Sequence, residues 1–355
     1  MSSRNVTLDI ARGIGILLVV IGHNSVFRET ARPLYEAIYL FHMPLFFFLS
    51  GVTFRLASAG EALKKRARAL LVPYFVMGAA AALMALQSGD ADAVMSELRG
   101  VLYGTGHTIR FVPLWFLPCL FLVSTTAVVA MDCLRAQLTT EQFERWRPRL
   151  MLALAVSGVV MGALVLSSGT FAQPPFTDPQ GRPIGLPWSL DLVPFALGIF
   201  LSGALLSRSR VARDFPMPIA VIIVASAVLA MLAANGTSLD LNYRRMSDPL
   251  AVIAAMAAGI VLVLALSSLI SRAIWASRLF AYIGSASLVI LMLHSPLQRR
   301  VIDRLLAHDV DPVITVLMSV TFTVALICAL DFWVIRRVRA FGWFVYPRRD
   351  PAGAT

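Results

Sequence analysis

Three ionisable side chains, Asp9, Arg12 and His23, stand within the first hydrophobic run of this chain. Such a group at membrane depth is costly unless it is paired, turned into a bundle interior or used in function. On a helix, the eleven residues from Arg12 to His23 turn through about 1100°, leaving the two side chains about 20° apart in angle and about 16 Å apart along the axis. One helical face would then carry an arginine low down and a histidine higher up, a polar track in an apolar helix. Asp9 and Arg12 are three residues apart, so a pair between them would lower the cost of burying the guanidinium. A histidine titrates near neutrality and is the usual base for taking a proton from a hydroxyl. The same residues would also serve a proton or solute path.

Further along, Phe41-His42-Met43-Pro44 opens a second apolar run that ends in Ser50-Gly51. A proline early in a span frees a backbone carbonyl, which a neighbouring polar group can answer. His42 therefore either satisfies a kink or lines a cavity shared with His23. The segment Lys64-Lys65-Arg66-Ala67-Arg68 follows, with Leu71-Val72-Pro73-Tyr74 after it. Five bases fall between Arg55 and Arg68, the densest stretch of any inner loop. Cytoplasmic topology alone would account for it, but arginine forks also suit phosphate oxygens. Trp115, in Leu114-Trp115-Phe116-Leu117, suits an interfacial anchor. His294 is placed near an outer span end in a wetted structural role, and His107 and His308 in outer loops. Cys119, Cys133 and Cys328 have neither paired nor metal-like spacing and read as small buried hydrophobes. No glycine-rich phosphate loop, zinc triad or Ser-His-Asp set is present.

The elements that must position these groups are membrane helices. Hydrophobic residues make up 58% of the 355, charged residues 14%, and the mean hydropathy is +0.77. Soluble domains carry about 25% charged residues. Apolar runs of about 20 residues mark a helical membrane protein, and no short alternating segments suggest a β-barrel. Ten spans are expected: Thr7–Phe27, Ala37–Leu56, Ala69–Gln87, Val112–Met131, Leu150–Ser168, Trp188–Leu206, Pro218–Ala234, Pro249–Leu269, Leu279–Leu297 and Pro312–Trp333. The first is expected to be retained, without a cleavable signal peptide. Net charge is +11, but the bases sit in short loops, so nucleic acid is not an expected partner. With the N-terminus inside, inner segments carry about twice as many bases as outer ones, which puts both termini in the cytoplasm. The fold expected is all-α and polytopic: one transmembrane domain over 1–335 and a short basic cytoplasmic tail over 336–355.

Two function classes remain open on these grounds, a transporter or channel and a membrane-embedded transferase. The motifs, taken together and in order, settle on a resemblance. The chain resembles the acyltransferase-3 family of bacterial inner-membrane acyltransferases, which includes O-antigen, exopolysaccharide and Nod-factor O-acetylases. The parts that carry it are Leu8-Asp9-x-x-Arg12-Gly13 with His23, the run Phe41 to Gly51, and the basic loop into Leu71-Val72-Pro73-Tyr74. Leu114-Trp115-Phe116-Leu117 and Ile283-Gly284-x-x-Ser287-Leu288 running to His294 complete it. Phe41-His42-Met43-Pro44, with the segment Trp188-Ser189-Leu190-Asp191 to Gly203, leans toward the fucose-4-O-acetylase-like subgroup.

The resemblance implies acetyl-CoA as a cytoplasmic donor, a glycan or lipid-linked glycan acceptor, and residence among the lipids of the bacterial inner membrane. It implies no metal. His23 resembles the essential histidine, acting as general base or transient acyl carrier, and Arg12 its partner. Lys65-x-x-Arg68 falls where the family often has two arginines; lysine keeps the charge but loses the fork. Lys65, Arg66 and Arg68 would receive the CoA phosphates, and the pantetheine arm would rise beside Arg12. Asp9, His42, Trp115 and His294 would support the site. Transport of a polar solute or acyl group, and acylation of a periplasmic glucan, a lipid or a small molecule, are the alternatives. Some relatives carry an added soluble periplasmic domain, which is not expected here.

Overall fold

The computed structural model describes residues 5–55, 59–87, 89–207 and 218–338. Among them the regular structure is helical, apart from one two-stranded ladder pairing Leu239–Asp240 with Arg245–Met246 and an isolated bridge between Thr177 and Pro183. Among the described residues seven helices are long and apolar enough to cross a bilayer, or eight if one bent pair counts as a span. Two shorter ones, α1 (Val6–Gly22, 17 residues) and Ile219–Ala234 (16 residues), lie where two more spans were expected. At 1.5 Å per residue they reach about 24–26 Å, slightly less than a hydrocarbon core of about 30 Å. The chain is an all-α polytopic membrane protein. Of the expected basic tail, residues 339–355 lie outside the described residues, as do Arg208, Arg210 and Arg213 of one inner loop.

Three of the expected spans are cut short or broken, and the helix of the fifth begins ten residues early, at Thr140 rather than Leu150. α1 stops at Gly22 rather than Phe27, because Asn24 turns its side chain back to accept the Phe27 N–H (3.1 Å) and starts a new short helix, α2 (Ser25–Thr30). His23 thus sits on the helix end rather than inside the helix. The second span is broken at Leu40-Phe41 into α3 (Arg32–Tyr39) and α4 (His42–Val52). The ninth is bent by 76° at Ala286, between Ile274–Ser285 and Ser287–Leu306. Cys119 is buried, as expected of a small hydrophobe, whereas Cys133 is exposed on the helix Phe116–Gln137.

Small residues bring the helices together at the face where α1 begins, here called the lower face. A Cβ on Gly13 would overlap the Phe280 carbonyl oxygen, and one on Gly51 the Phe200 carbonyl oxygen. These two crossings let α1 lie directly on Ile274–Ser285, and α4 on Val193–Leu206, backbone against backbone. At the opposite, upper face the connections between helices fold over the bundle. The first helix ends beneath them, and that places the site.

Candidate active site

His23 ends α1 beneath a cavity of about 260 Å³ at the upper face. Its Nδ1 lies 2.8 Å from the Val19 carbonyl. A carbonyl can only accept, so Nδ1 carries the hydrogen and Nε2 presents a lone pair. His42 is held the same way: its Nδ1 lies 2.9 Å from the Ile38 carbonyl, across the break between α3 and α4. His42 therefore both satisfies the break and lines the cavity with His23. The carbonyl it answers is Ile38, not Leu40, the one four residues before Pro44 that the proline leaves without an N–H partner.

His294 is fully buried, which corrects the wetted role expected of it. Its ring stands edge-on to that of His23, centroids 5.3 Å apart. Its Nδ1 points at the carbonyls of Ile290 (2.8 Å) and Leu291 (3.1 Å), and its Nε2 is buried without a hydrogen-bond partner. Among the described residues no group of three or more His, Cys, Asp or Glu is arranged to hold a metal ion. Trp115 is buried and lines the cavity, so it is a wall residue and not an interfacial anchor.

The end of α1 is fixed from two sides. Asn24 donates to the Ser319 hydroxyl (2.9 Å), and Gln298 donates to the Val20 carbonyl (3.1 Å). All three polar side chains are buried. Tyr39 donates to the Gly22 carbonyl (3.3 Å) and meets the His42 ring at a tilt, 4.7 Å between centroids, with the tilted Tyr35 ring 4.2 Å from Tyr39.

The cavity roof is the hairpin 239–246 and the loop bearing His107. Asp240, Asn242 and Tyr243 face the cavity from the hairpin. Its turn is anchored by Arg244, 1% exposed, whose Nε lies 3.0 Å from Asp191 Oδ2. The guanidinium also donates to the Ser189 hydroxyl (3.1 Å) and the Asn242 carbonyl (2.8 Å). His107 Nε2 is 3.3 Å from Asn242 Nδ2, and its ring meets Tyr243 edge-on. Burial, assisted by the charges of Arg182 and Arg244, pushes the His107 imidazole down to about 4.

The lower end is arranged separately. Arg12 is bonded to Asp9 (3.0 Å), and its second amino group reaches the Thr53 hydroxyl (3.5 Å) at the end of α4. Between Arg12 and His23 the helix face is apolar: Ile16 and Val19 are buried, and Gly15 packs against Leu45 and Phe46. The expected polar track is thus polar only at its two ends, because α4 fills the middle. Lys65 is exposed at the foot of the third span, and Arg68 is half-buried on the π-helical turn Ala67–Leu71 that follows. Arg66 is turned inward: it donates to the Ser124 carbonyl (3.3 Å) and covers the Phe54 ring.

The acyltransferase domain model of the acyltransferase-3 family matches residues 5–332, nearly the whole chain. The chain belongs to the acyltransferase-3 family. It is similar to nodulation protein NolL of Sinorhizobium fredii, at 40% identity over 83 residues, 20% of this chain and 23% of that protein. NolL of Mesorhizobium japonicum is 37% identical over 87 residues, 20% of this chain and 22% of that protein. The chain thus spans less than a quarter of the curated relatives it matches. No solved structure matches it.

The chain therefore has its sequence-marked groups in two places. His23, His42, Trp115 and His294 gather at the upper cavity. Asp9, Arg12, Lys65 and Arg68 lie below. The roof residues Asp240, Asn242, Tyr243 and His107, and the anchor Arg244–Asp191, were not singled out as site residues. Asp191 and Arg244 are 53 residues apart and Asn242 and His107 are 135, so no local spacing marks them. The one available signal was a hairpin-like cluster of polar residues, Asp240 to Arg245, between two apolar spans.

Proposed function

We propose that this acyltransferase moves an acetyl group from acetyl-CoA to a hydroxyl of a cell-envelope glycan, or its lipid-linked precursor, at the bacterial inner membrane. The observation that carries the reading is the pinned imidazole of His23. With Nδ1 committed to the Val19 carbonyl, Nε2 is a preformed proton acceptor facing the cavity. The acceptor oxygen attacks the thioester carbonyl as its proton passes to His23 Nε2. The C–S bond breaks, and the thiolate leaves and takes up the proton from the imidazolium. In the alternative order, Nε2 itself attacks the thioester carbonyl and the thiolate leaves; the acceptor oxygen then displaces the acetyl group from Nε2, and its proton passes by way of the freed imidazole to the thiolate. His294 backs the His23 ring and holds its plane.

On the donor side, Lys65 and Arg68 receive the CoA phosphates, the arginine through its fork. Arg66, held within the fold, braces that loop instead. Arg12, oriented by Asp9, stands where the pantetheine arm enters. The arm must then displace the side chains that pack on Gly15, chiefly Phe46. Both termini lie in the cytoplasm in this arrangement, and the cavity opens to the acceptor side. The test is label transfer from radiolabelled acetyl-CoA into the glycan fraction of membranes. His23→Ala should insert and accumulate yet transfer nothing; transfer retained in that variant would overturn the assignment.

A further inference from the structure

The roof of the cavity has a chemistry of its own. On one wall the rings of Tyr35 and Tyr39 lie 4.2 Å apart, tilted by 34°, and Tyr39 meets His42 at 4.7 Å, tilted by 59°. The hairpin brings a carboxylate and an amide, Asp240 and Asn242, and the adjoining loop an imidazole, His107. His23 lies at the floor. A flat aromatic face is apolar and suits the C–H face of a sugar ring, while short polar groups suit its hydroxyls, which both donate and accept. The volume of about 260 Å³ falls just below the range of about 300–1,000 Å³ typical of pockets for drug-sized ligands. One ring fits; an oligosaccharide would have to project from the opening.

The anchoring of this roof supports a binding role. A buried ion pair adds little net stability over well-packed apolar side chains, so Arg244–Asp191 is poorly explained as a stabilising device. Arg244 also holds φ 51, a left-handed conformation that non-glycine residues seldom adopt. What the pair secures is direction: it clamps the hairpin two to four residues from Asn242 and Asp240. The Asp240 carboxylate is oriented in turn by the N–H groups of Asn242 and Tyr243.

We infer that this roof is the acceptor subsite, taking one polyhydroxylated pyranose ring against Tyr35 and Tyr39. Asp240 accepts hydrogen bonds from ring hydroxyls and so selects which hydroxyl faces His23. Arg244 and Asp191 are positioning residues that never touch the acceptor. The inference rests on the O-acyl transfer reading above and adds the place where one acceptor ring sits and the residues that read it. Burial raises the Asp240 carboxyl above the ordinary carboxylate range despite its backbone bonds. A carboxylate that is unfavourable for the folded state, yet held in place by an anchored hairpin, is what a binding group looks like when function and stability pull apart.

The experiment uses the full-length protein in lipid nanodiscs with radiolabelled acetyl-CoA. The acceptor is whichever the wild type labels, a panel of methyl pyranosides or the glycan extracted from host membranes. Asp240→Asn should raise the acceptor KM by about tenfold or more, the loss of one charged hydrogen bond. It should leave the acetyl-CoA KM unchanged and melt no lower than wild type. An unchanged acceptor KM, or a fall in kcat alone, overturns the subsite while leaving the reaction intact. If the wild type labels neither acceptor class, the transfer reading itself fails and the subsite with it. Tyr35→Leu, which removes a half-buried ring and leaves every hairpin residue unchanged, tests the same claim should Asp240→Asn not accumulate. Its acceptor KM must also rise with the donor KM unchanged, and a parallel change in both would overturn the inference.

Discussion

Replacing Asp191 by asparagine tests how the fold holds its upper cavity. The substitution keeps the side-chain shape and the acceptor for the Leu186 N–H (2.9 Å), but removes the charge facing Arg244. Each side chain of the pair is 1% exposed, so the guanidinium cannot turn to water. Breaking one half of a buried pair costs about 3–5 kcal/mol, mostly because the remaining charge is left uncompensated. Here Arg244 keeps the Ser189 hydroxyl and the Asn242 carbonyl, which points to the lower end, about 3 kcal/mol. At about 2 °C per kcal/mol for a chain of this size, the unfolding midpoint should fall by about 6 °C. The double variant Asp191→Leu with Arg244→Met removes both charges and should recover most of that loss. It should not recover acceptor use, because apolar packing does not orient the hairpin as a fork does. Thermal unfolding in nanodiscs and separate KM values for donor and acceptor read both effects. The reasoning fails if Asp191→Asn melts with the wild type. It fails equally if the double variant is as unstable as the two single losses summed.

Three other outcomes follow from the same geometry. Gly51→Ala places a methyl group on the Phe200 carbonyl oxygen and should destabilise by about 1–3 kcal/mol, read as a lower midpoint; an unchanged midpoint would show that α4 and its neighbour can part freely. Arg68→Ala should raise the apparent KM for acetyl-CoA on the order of tenfold and leave the acceptor KM alone, and the reverse pattern would remove Arg68 from the donor site. For His107, the unfolded chain takes up a proton near 6.5 that the folded state refuses until about 4, so stability should fall as pH drops through that window. His107→Gln should flatten the midpoint between those pH values; an undiminished slope would assign the dependence to other groups.

Burial and periodicity explain how much could be read from the chain alone. Apolar runs of span length are local, so the helical, polytopic class and most span positions are visible in composition. The pair Asp9–Arg12 is also local, three residues on one helix, and forms as expected. Where a polar side chain redirects the backbone, hydropathy is silent. Asn24 ends α1 five residues early, and the breaks at Leu40-Phe41 and Ala286 lie inside runs of span length. The polar track inferred for α1 was a statement about one helix face. It did not hold because what covers that face, Leu45 and Phe46, belongs to another helix.

The sequence by itself determined which side chains had to be explained: ionisable groups in an apolar span are costly wherever they end up, so His23, Arg12 and Asp9 were conspicuous without any coordinates. The tertiary structure decided what each is for. It pinned three histidines by their Nδ1 atoms, brought His294 from the far end of the chain onto His23, and turned Arg66 inward. It also raised a roof from residues that look like ordinary loop. Those outcomes depend on contacts between segments up to 295 residues apart, as between Asn24 and Ser319, and on which carbonyls the helix ends leave open. Neither is a property of any local stretch of sequence.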